Sequence, residues 1–206
     1  GLWNGNYAHD GEYYKFPKST STPKPIQSSG PPIWIAARDP NSHEFAVENN
    51  CNVQVTPLWQ DYEEVEVLIA RFRAAQTKCQ NQYQSKIMLL QHTFVSKTED
   101  ELEHAAKLFS KFYSHFGAWF KNERPVDQAL MKKLSDDEIK ALEMYSPAIM
   151  KNNLAIGNSM EVIDRLKKYE ALGYDEFAYW IDSGMSFDMK KTSLERFINE
   201  VMPAFH

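Results

Sequence analysis

Few residues of this chain have types and spacing that could hold or transform a ligand, and the first group is Arg38-Asp39-Pro40-Asn41-Ser42. It follows a short apolar run, Ile33 to Ala37, and precedes His43-Glu44-Phe45-Ala46-Val47-Glu48. Asn41 or Ser42 is expected to cap a helix here, so the break joins a strand end to a helix start. Backbone N–H groups and a Ser hydroxyl at such a junction suit an anion, usually a phosphate. Most capped helices bind nothing, so the pattern alone leaves plain capping and phosphate binding both open. Further candidates lie where other strands should end: Thr56 to Trp59, His92 to Ser96 and Asp182 to Ser186.

Other chemistries find no support. The six histidines (9, 43, 92, 104, 115 and 206) show no ligand spacing, so no metal is expected. His92 alternates with Met88, Leu90 and Phe94, which marks it as a satisfied core histidine rather than a catalytic one. There is no Gly-rich phosphate loop, no nucleophile elbow and no cysteine beside an obvious base. Asp136-Asp137 reads as a solvated helix start. A net charge of −5 without a basic stripe argues against nucleic acid. The 2 cysteines are too few for a disulfide framework, which points to a reducing cytoplasm. No apolar run approaches the ~20 residues of a membrane span.

These candidates need strands and helices to position them. Ile33–Ala37 has the pattern of a strand buried on both faces; 52–56 and 86–95 follow as further strands, and 175–181 is the last. Val65, Leu68, Ile69, Phe72 and Ala75 recur at the helical period within 61–80. Thr98 with Glu101 predicts a capping box opening a long helix to about residue 120. Asn158 with Glu161 caps a helix over 159–172 that Gly173 stops, and the closing helix spans about 188–201. Four strands, each followed by helix, make right-handed crossovers and a parallel α/β sheet. Residues 121–153 interrupt the alternation as a helical insertion, with Ser135 and Glu138 starting one short helix. Residues 1–30 read as an extended arm rich in Pro and aromatics, with a hairpin near His9-Asp10-Gly11-Glu12 or, over 1–12, a disordered tail.

The run Pro31-Pro32-Ile33-Trp34-Ile35-Ala36-Ala37-Arg38-Asp39-Pro40-Asn41-Ser42, with Cys51 to Leu58, Asn153 to Ile163 and Val201 to Phe205, resembles the bacterial luciferase family of flavin-dependent monooxygenases. The resemblance covers nearly the whole chain but only the C-terminal half of that family's (β/α)8 TIM barrel. It implies a partial barrel of four parallel β-α units equivalent to strands 5–8. It also implies that reduced flavin (FMN, or less readily a deazaflavin) and O2 oxygenate a small organic substrate, with a flavin reductase as a possible partner. By this resemblance the backbone at Arg38 and Asp39 and the hydroxyl of Ser42 line up with the phosphate-holding positions, and Val55 and Thr56 with the strand beside the flavin ring. The Arg38 guanidinium either reaches the phosphate or pairs with Asp39. The family's principal catalytic histidine belongs to the first half of the barrel, so no residue here receives a catalytic role. The insertion at 121–153 matches a lid region or is simply a packing helix. The alternative is a non-catalytic flavin-binding or assembly protein. A half barrel exposes two strand edges and an apolar face, which predicts a homodimer or higher homo-oligomer.

Overall fold

The computed structural model describes residues 5–28, 30–79 and 83–205. Trp3 of the expected arm, Gln80 of the expected second helix and His206 lie outside the described residues. The chain divides into two compact units, residues 1–34 and 35–206.

The first unit is built on an antiparallel hairpin, β1 (Asn6–Asp10) and β2 (Lys15–Thr20), with Asn6 opposite Thr20 and Asp10 opposite Lys15. The Gly11 N–H donates to the Tyr14 carbonyl across the turn (3.0 Å), where the Asp-Gly pair signals one. Rings of Tyr7, His9 and Phe16 lie 5.8 to 6.3 Å apart along the hairpin.

The second unit alternates strand and helix. In order come β3 (Trp34–Ala36, starting at the unit boundary), α1 (Pro40–Glu48), β4 (Asn52–Val55), α2 (Tyr62–Cys79), β5 (Ile87–Val95) and α3 (Glu99–Phe120). Then follow β6 (Val126–Asp127), β7 (Leu130–Met131), α4 (Asp136–Lys140), α5 (Pro147–Asn153), β8 (Ala155–Gly157), α6 (Ser159–Leu172), β9 (Glu176–Trp180) and α7 (Phe187–Arg196). A π-helical turn over Phe197–Val201 continues α7.

The strand order is β3-β4-β5, and β5 then carries two further neighbours. β9 runs parallel to its first part, Met88–His92, and β8 parallel to its end, Thr93–Val95. β4 lies parallel on the opposite flank of Met88, which pairs with both Gln54 and Glu176. Among the described residues nothing joins β3 to β9, so this α/β sheet is open.

Successive β5 residues point to opposite faces, and each face meets its own core. Ile87, Leu89 and Val95 pack with Val53, Val55, Leu68 and Phe72 beneath α1, α2 and α6. Phe94 joins Phe109, Tyr113, Tyr145, Met150 and Ile156 beneath α3 and α5. The α2 residues buried are Val65, Leu68, Ile69, Phe72 and Ala75, the set its spacing marks. A full capping box at Asn158 and Glu161 opens α6, and Gly173 closes it in the left-handed region at φ +94°.

Four expectations need correction. β3 is a sheet edge, with Trp34 and Ile35 half-buried and Ala36 exposed, rather than a strand covered on both faces. β8 is a fifth strand of three residues, too short for its periodicity to stand out. The stretch 121–153 is not wholly helical: β6 and β7 form a small hairpin across Gln128 and Ala129, both at positive φ. At α3 the Thr98 hydroxyl accepts from Glu101 N–H as expected, but the Glu101 carboxylate accepts from Lys97 N–H and pairs with Arg196.

Candidate functional site

The turn after β3 places Pro40 at the first position of α1, where a missing N–H costs nothing, and this makes Asp39 the cap. Its carboxylate accepts from the N–H groups of Asn41 (3.0 Å) and Ser42 (3.1 Å) and from the Ser42 hydroxyl. The bond from that hydroxyl, joined by the backbone contacts, holds the Asp39 pKa below the usual carboxylate value. The expected cap at Asn41 or Ser42 is thereby corrected: both serve as donors to Asp39. Two amides and a hydroxyl do converge on an oxyanion at a strand's carboxyl end, and that oxyanion is the chain's own carboxylate. The Asp39 carboxylate thus occupies these donors, and an anion could use them only by displacing it.

Arg38 does not pair with Asp39. Its guanidinium donates to Glu64 of α2 (2.9 Å) and to Gln60, while its carbonyl accepts from Arg71 (2.7 Å). Asp39 is already committed to the helix amides, and Glu64 in the first turn of α2 is the free carboxylate within reach. These contacts tie the turn after β3 to the loop after β4. In that loop the Thr56 hydroxyl accepts from Leu58 N–H (3.1 Å), and Leu58 sits in the left-handed region at φ +58°. Val55, at the end of β4, is 2% exposed, and its side chain packs within the helix-facing core.

Trp59 connects this loop to the insertion. Its carbonyl accepts from Asn153 Nδ2 (2.9 Å), and its ring meets Tyr145 edge-on at 5.0 Å and Tyr113 at 5.7 Å. Asn153 in turn accepts from Gln91 through its carbonyl (2.9 Å), and Tyr169 donates to Gln91 (2.8 Å). The loop after β4, α5, β5 and α6 therefore meet through one polar chain.

His92 on β5 is wholly buried, stacked on Trp180 of β9 at 3.8 Å with an interplanar angle of 16°. Its Nε2 lies 2.9 Å from the Asp182 carbonyl and its Nδ1 2.6 Å from the Tyr113 hydroxyl. A carbonyl only accepts, so Nε2 carries the proton and Tyr113 donates to Nδ1. Burial lowers the pKa to about 4, which keeps the ring neutral, and it raises that of Tyr113. His92 is thus a satisfied core histidine that joins β5, α3 and the loop after β9. Asp182 is held elsewhere by Lys190 (2.6 Å), and Ser186 caps α7.

Sequence reasoning missed Gln60, Glu64, Arg71 and Tyr113, each placed against the site by tertiary packing. Glu64 had one readable signal, an acidic side chain in the first turn of an amphipathic helix close behind the loop. Among the described residues no group of three or more His, Cys, Asp or Glu could hold a metal.

The model of a family described as luciferase-like monooxygenase matches residues 1–176. The oxygenase component of flavin-dependent trigonelline monooxygenase from Acinetobacter baylyi is 58% identical over 204 residues, covering 99% of this chain and 57% of that protein. Among solved structures, the monooxygenase RslO1 from Streptomyces bottropensis superposes with a TM-score of 0.70 at 17% identity, over 100% of this chain and 58% of its own. The F420-dependent tetrahydromethanopterin reductase from Methanopyrus kandleri gives 0.69 at 16%, over 97% and 58%. The oxygenating constituent of 3,6-diketocamphane monooxygenase from Pseudomonas putida, in complex with FMN, gives 0.66 at 12%, over 100% and 60%. At such identities the structures speak for the fold. This chain spans little more than half the length of each.

Proposed function

Because the chain belongs to the luciferase-like monooxygenase family, we propose that it is the C-terminal half of the barrel of a flavin-dependent oxygenase. The 58% identity to the Acinetobacter oxygenase component supports trigonelline, a pyridinium ring bearing a carboxylate, or a close analogue, as the substrate. A component of that kind works with a partner that delivers reduced flavin. Reduced flavin, when bound, supplies the activation of O2; this chain's residues bind, orient and exclude water.

One observation carries the cofactor assignment: the amides of Asn41 and Ser42 and the Ser42 hydroxyl already converge on an oxyanion at the carboxyl end of β3. An FMN phosphate has the chemistry to take the place of the Asp39 carboxylate there. The Arg38 guanidinium stands beside the turn paired with Glu64, and Thr56 lies in the next loop. The dianion carries more charge than the carboxylate it replaces and so gains more from the helix terminus. An F420-type deazaflavin, named for the Methanopyrus neighbour, is the competing cofactor.

The half-barrel reading has support in the open sheet edge at β3 and in the five half-buried residues of β9. These surfaces are where further strands would close the barrel, or where a second copy would sit in a homo-oligomer. Light scattering at micromolar concentration should therefore find an assembly larger than one chain, and a monodisperse monomer contradicts that part.

The test of activity is turnover with reduced FMN, O2 and trigonelline. Oxygenated product with flavin reoxidation is expected. A bound flavin that leaves every substrate unchanged identifies a non-catalytic flavin-binding module instead, and preference for a deazaflavin changes the cofactor.

A further inference from the structure

A groove of about 520 Å³ runs along α3, lined by Lys111, Phe112, Phe116 and Trp119 from the helix, Met131 from β7 and Ser183 from the loop after β9. Three features set it apart from an ordinary surface furrow. Phe112 and Phe116 stack at 6.1 Å with a 12° interplanar angle, and Trp119 follows at 6.0 Å, leaving flat π faces beside the groove. Ser183 is 2% exposed, and its buried hydroxyl has no hydrogen-bond partner among the described residues. A buried hydroxyl left unpaired is costly, so a ligand that met it would gain the full bond. Lys111 is exposed and forms no ion pair among the described residues.

The groove also lies against the His92–Trp180 stack. Phe112 meets the His92 ring at 5.0 Å and Trp180 at 6.3 Å, near the strand ends where parallel α/β proteins place their ligands. Its wall is fixed: His115 donates from Nδ1 to the Lys111 carbonyl (2.8 Å) and accepts at Nε2 from Leu134 N–H (3.1 Å). With both nitrogens committed, His115 is wall and not ligand.

We propose that this groove holds the organic substrate as a flat aromatic ring bearing a carboxylate. The ring lies against Phe112, Phe116 and Trp119, and Lys111 and the Ser183 hydroxyl take the carboxylate oxygens. A positively charged ring gains a cation–π contribution from the same aromatic faces. The assignment rests on the oxygenase reading above for its substrate class, and it names specificity residues which that reading does not supply.

Calorimetric titration of the protein with trigonelline, with N-methylpyridinium (the same ring without a carboxylate) and, separately, with FMN tests it. Lys111→Ala should weaken trigonelline binding about tenfold and not weaken N-methylpyridinium, a cation that gains nothing from the ammonium. Phe116→Ala should weaken both about tenfold, and Ser183→Ala should weaken trigonelline about fivefold. Lys111→Arg, which keeps the charge, should recover most of the Lys111→Ala loss and shows that the exposed site has not simply misfolded. FMN affinity should stay within about twofold throughout, since additivity holds for separate sites. Wild-type trigonelline affinity in Lys111→Ala and Ser183→Ala, or no trigonelline binding by the wild type, overturns the groove and leaves the flavin reading standing. The predicted pattern with no FMN binding overturns the flavin reading and leaves the groove.

Discussion

Acidification should loosen the joint between β5, α3 and the loop after β9 through a single side chain. His92 is 0% exposed and its pKa lies at about 4, against 6.5 for a free histidine, because burial penalises the imidazolium. Protonation would also put an N–H on Nδ1, which now accepts from Tyr113 at 2.6 Å. A histidine whose folded pKa lies below its unfolded value binds fewer protons folded than unfolded. Its contribution is therefore complete above pH 6.5 and is lost as pH falls from 6.5 to about 4. At about 1.4 kcal/mol per pH unit that loss amounts to about 3 kcal/mol. Carboxylates titrate in the same range, so the assay is urea unfolding of wild type beside His92→Phe, at pH steps from 7.5 down to 4. Phenylalanine keeps a ring on Trp180 but orphans the Tyr113 hydroxyl and the Asp182 carbonyl, at roughly 1–3 kcal/mol each near neutral pH. Having no proton to take up, the variant should lose less stability on acidification, and the gap between the two proteins should close by about 3 kcal/mol. A gap constant from pH 7.5 to 4, or a His92 proton signal titrating near 6.5, refutes the reasoning.

Two further substitutions separate structural from ligand roles. Asp39→Ala removes a helix cap and should cost about 1 kcal/mol of stability by chemical denaturation. It also frees the Asn41 and Ser42 amides from a competing anion, so FMN should bind more tightly, on the order of fivefold. Gly117→Ala would place a methyl carbon 2.8 Å from Tyr145 Cζ. The ring that packs on Trp59 must then shift, and the expected loss of about 1–3 kcal/mol in thermal unfolding outweighs alanine's better helix propensity.

Where sequence and structure agree, the signals are local. The apolar spacing within α2, the Asn158–Glu161 box with Gly173 after it, and the Ser135–Glu138 box each involve residues within a few positions of one another. The cap of α1 was also within reach of local reasoning: three cap-forming residues crowd Asp39-Pro40-Asn41-Ser42, and proline's preference for the first helical position selects Asp39. Long-range pairings leave no such mark. Arg38 meets Glu64 across 26 positions, Gln91 meets Tyr169 across 78 and Arg196 meets Glu101 across 95. The destination of the Arg38 guanidinium depends on how α2 packs beside α1, which composition and period do not encode. The groove along α3 belongs to the same class. Phe112, Phe116 and Trp119 read as a helical stripe, and only the fold brings Ser183 beside them.

The central claim is that the turn from Arg38 to Ser42 receives a flavin phosphate. The most direct measurement compares the dissociation constants of FMN and riboflavin, which share the ring and ribityl chain and differ in the phosphate alone. FMN should bind at least about tenfold more tightly, the worth of charge-assisted contacts at a helix N-terminus, and Ser42→Ala should shrink that advantage. Equal affinity for the two flavins contradicts the claim.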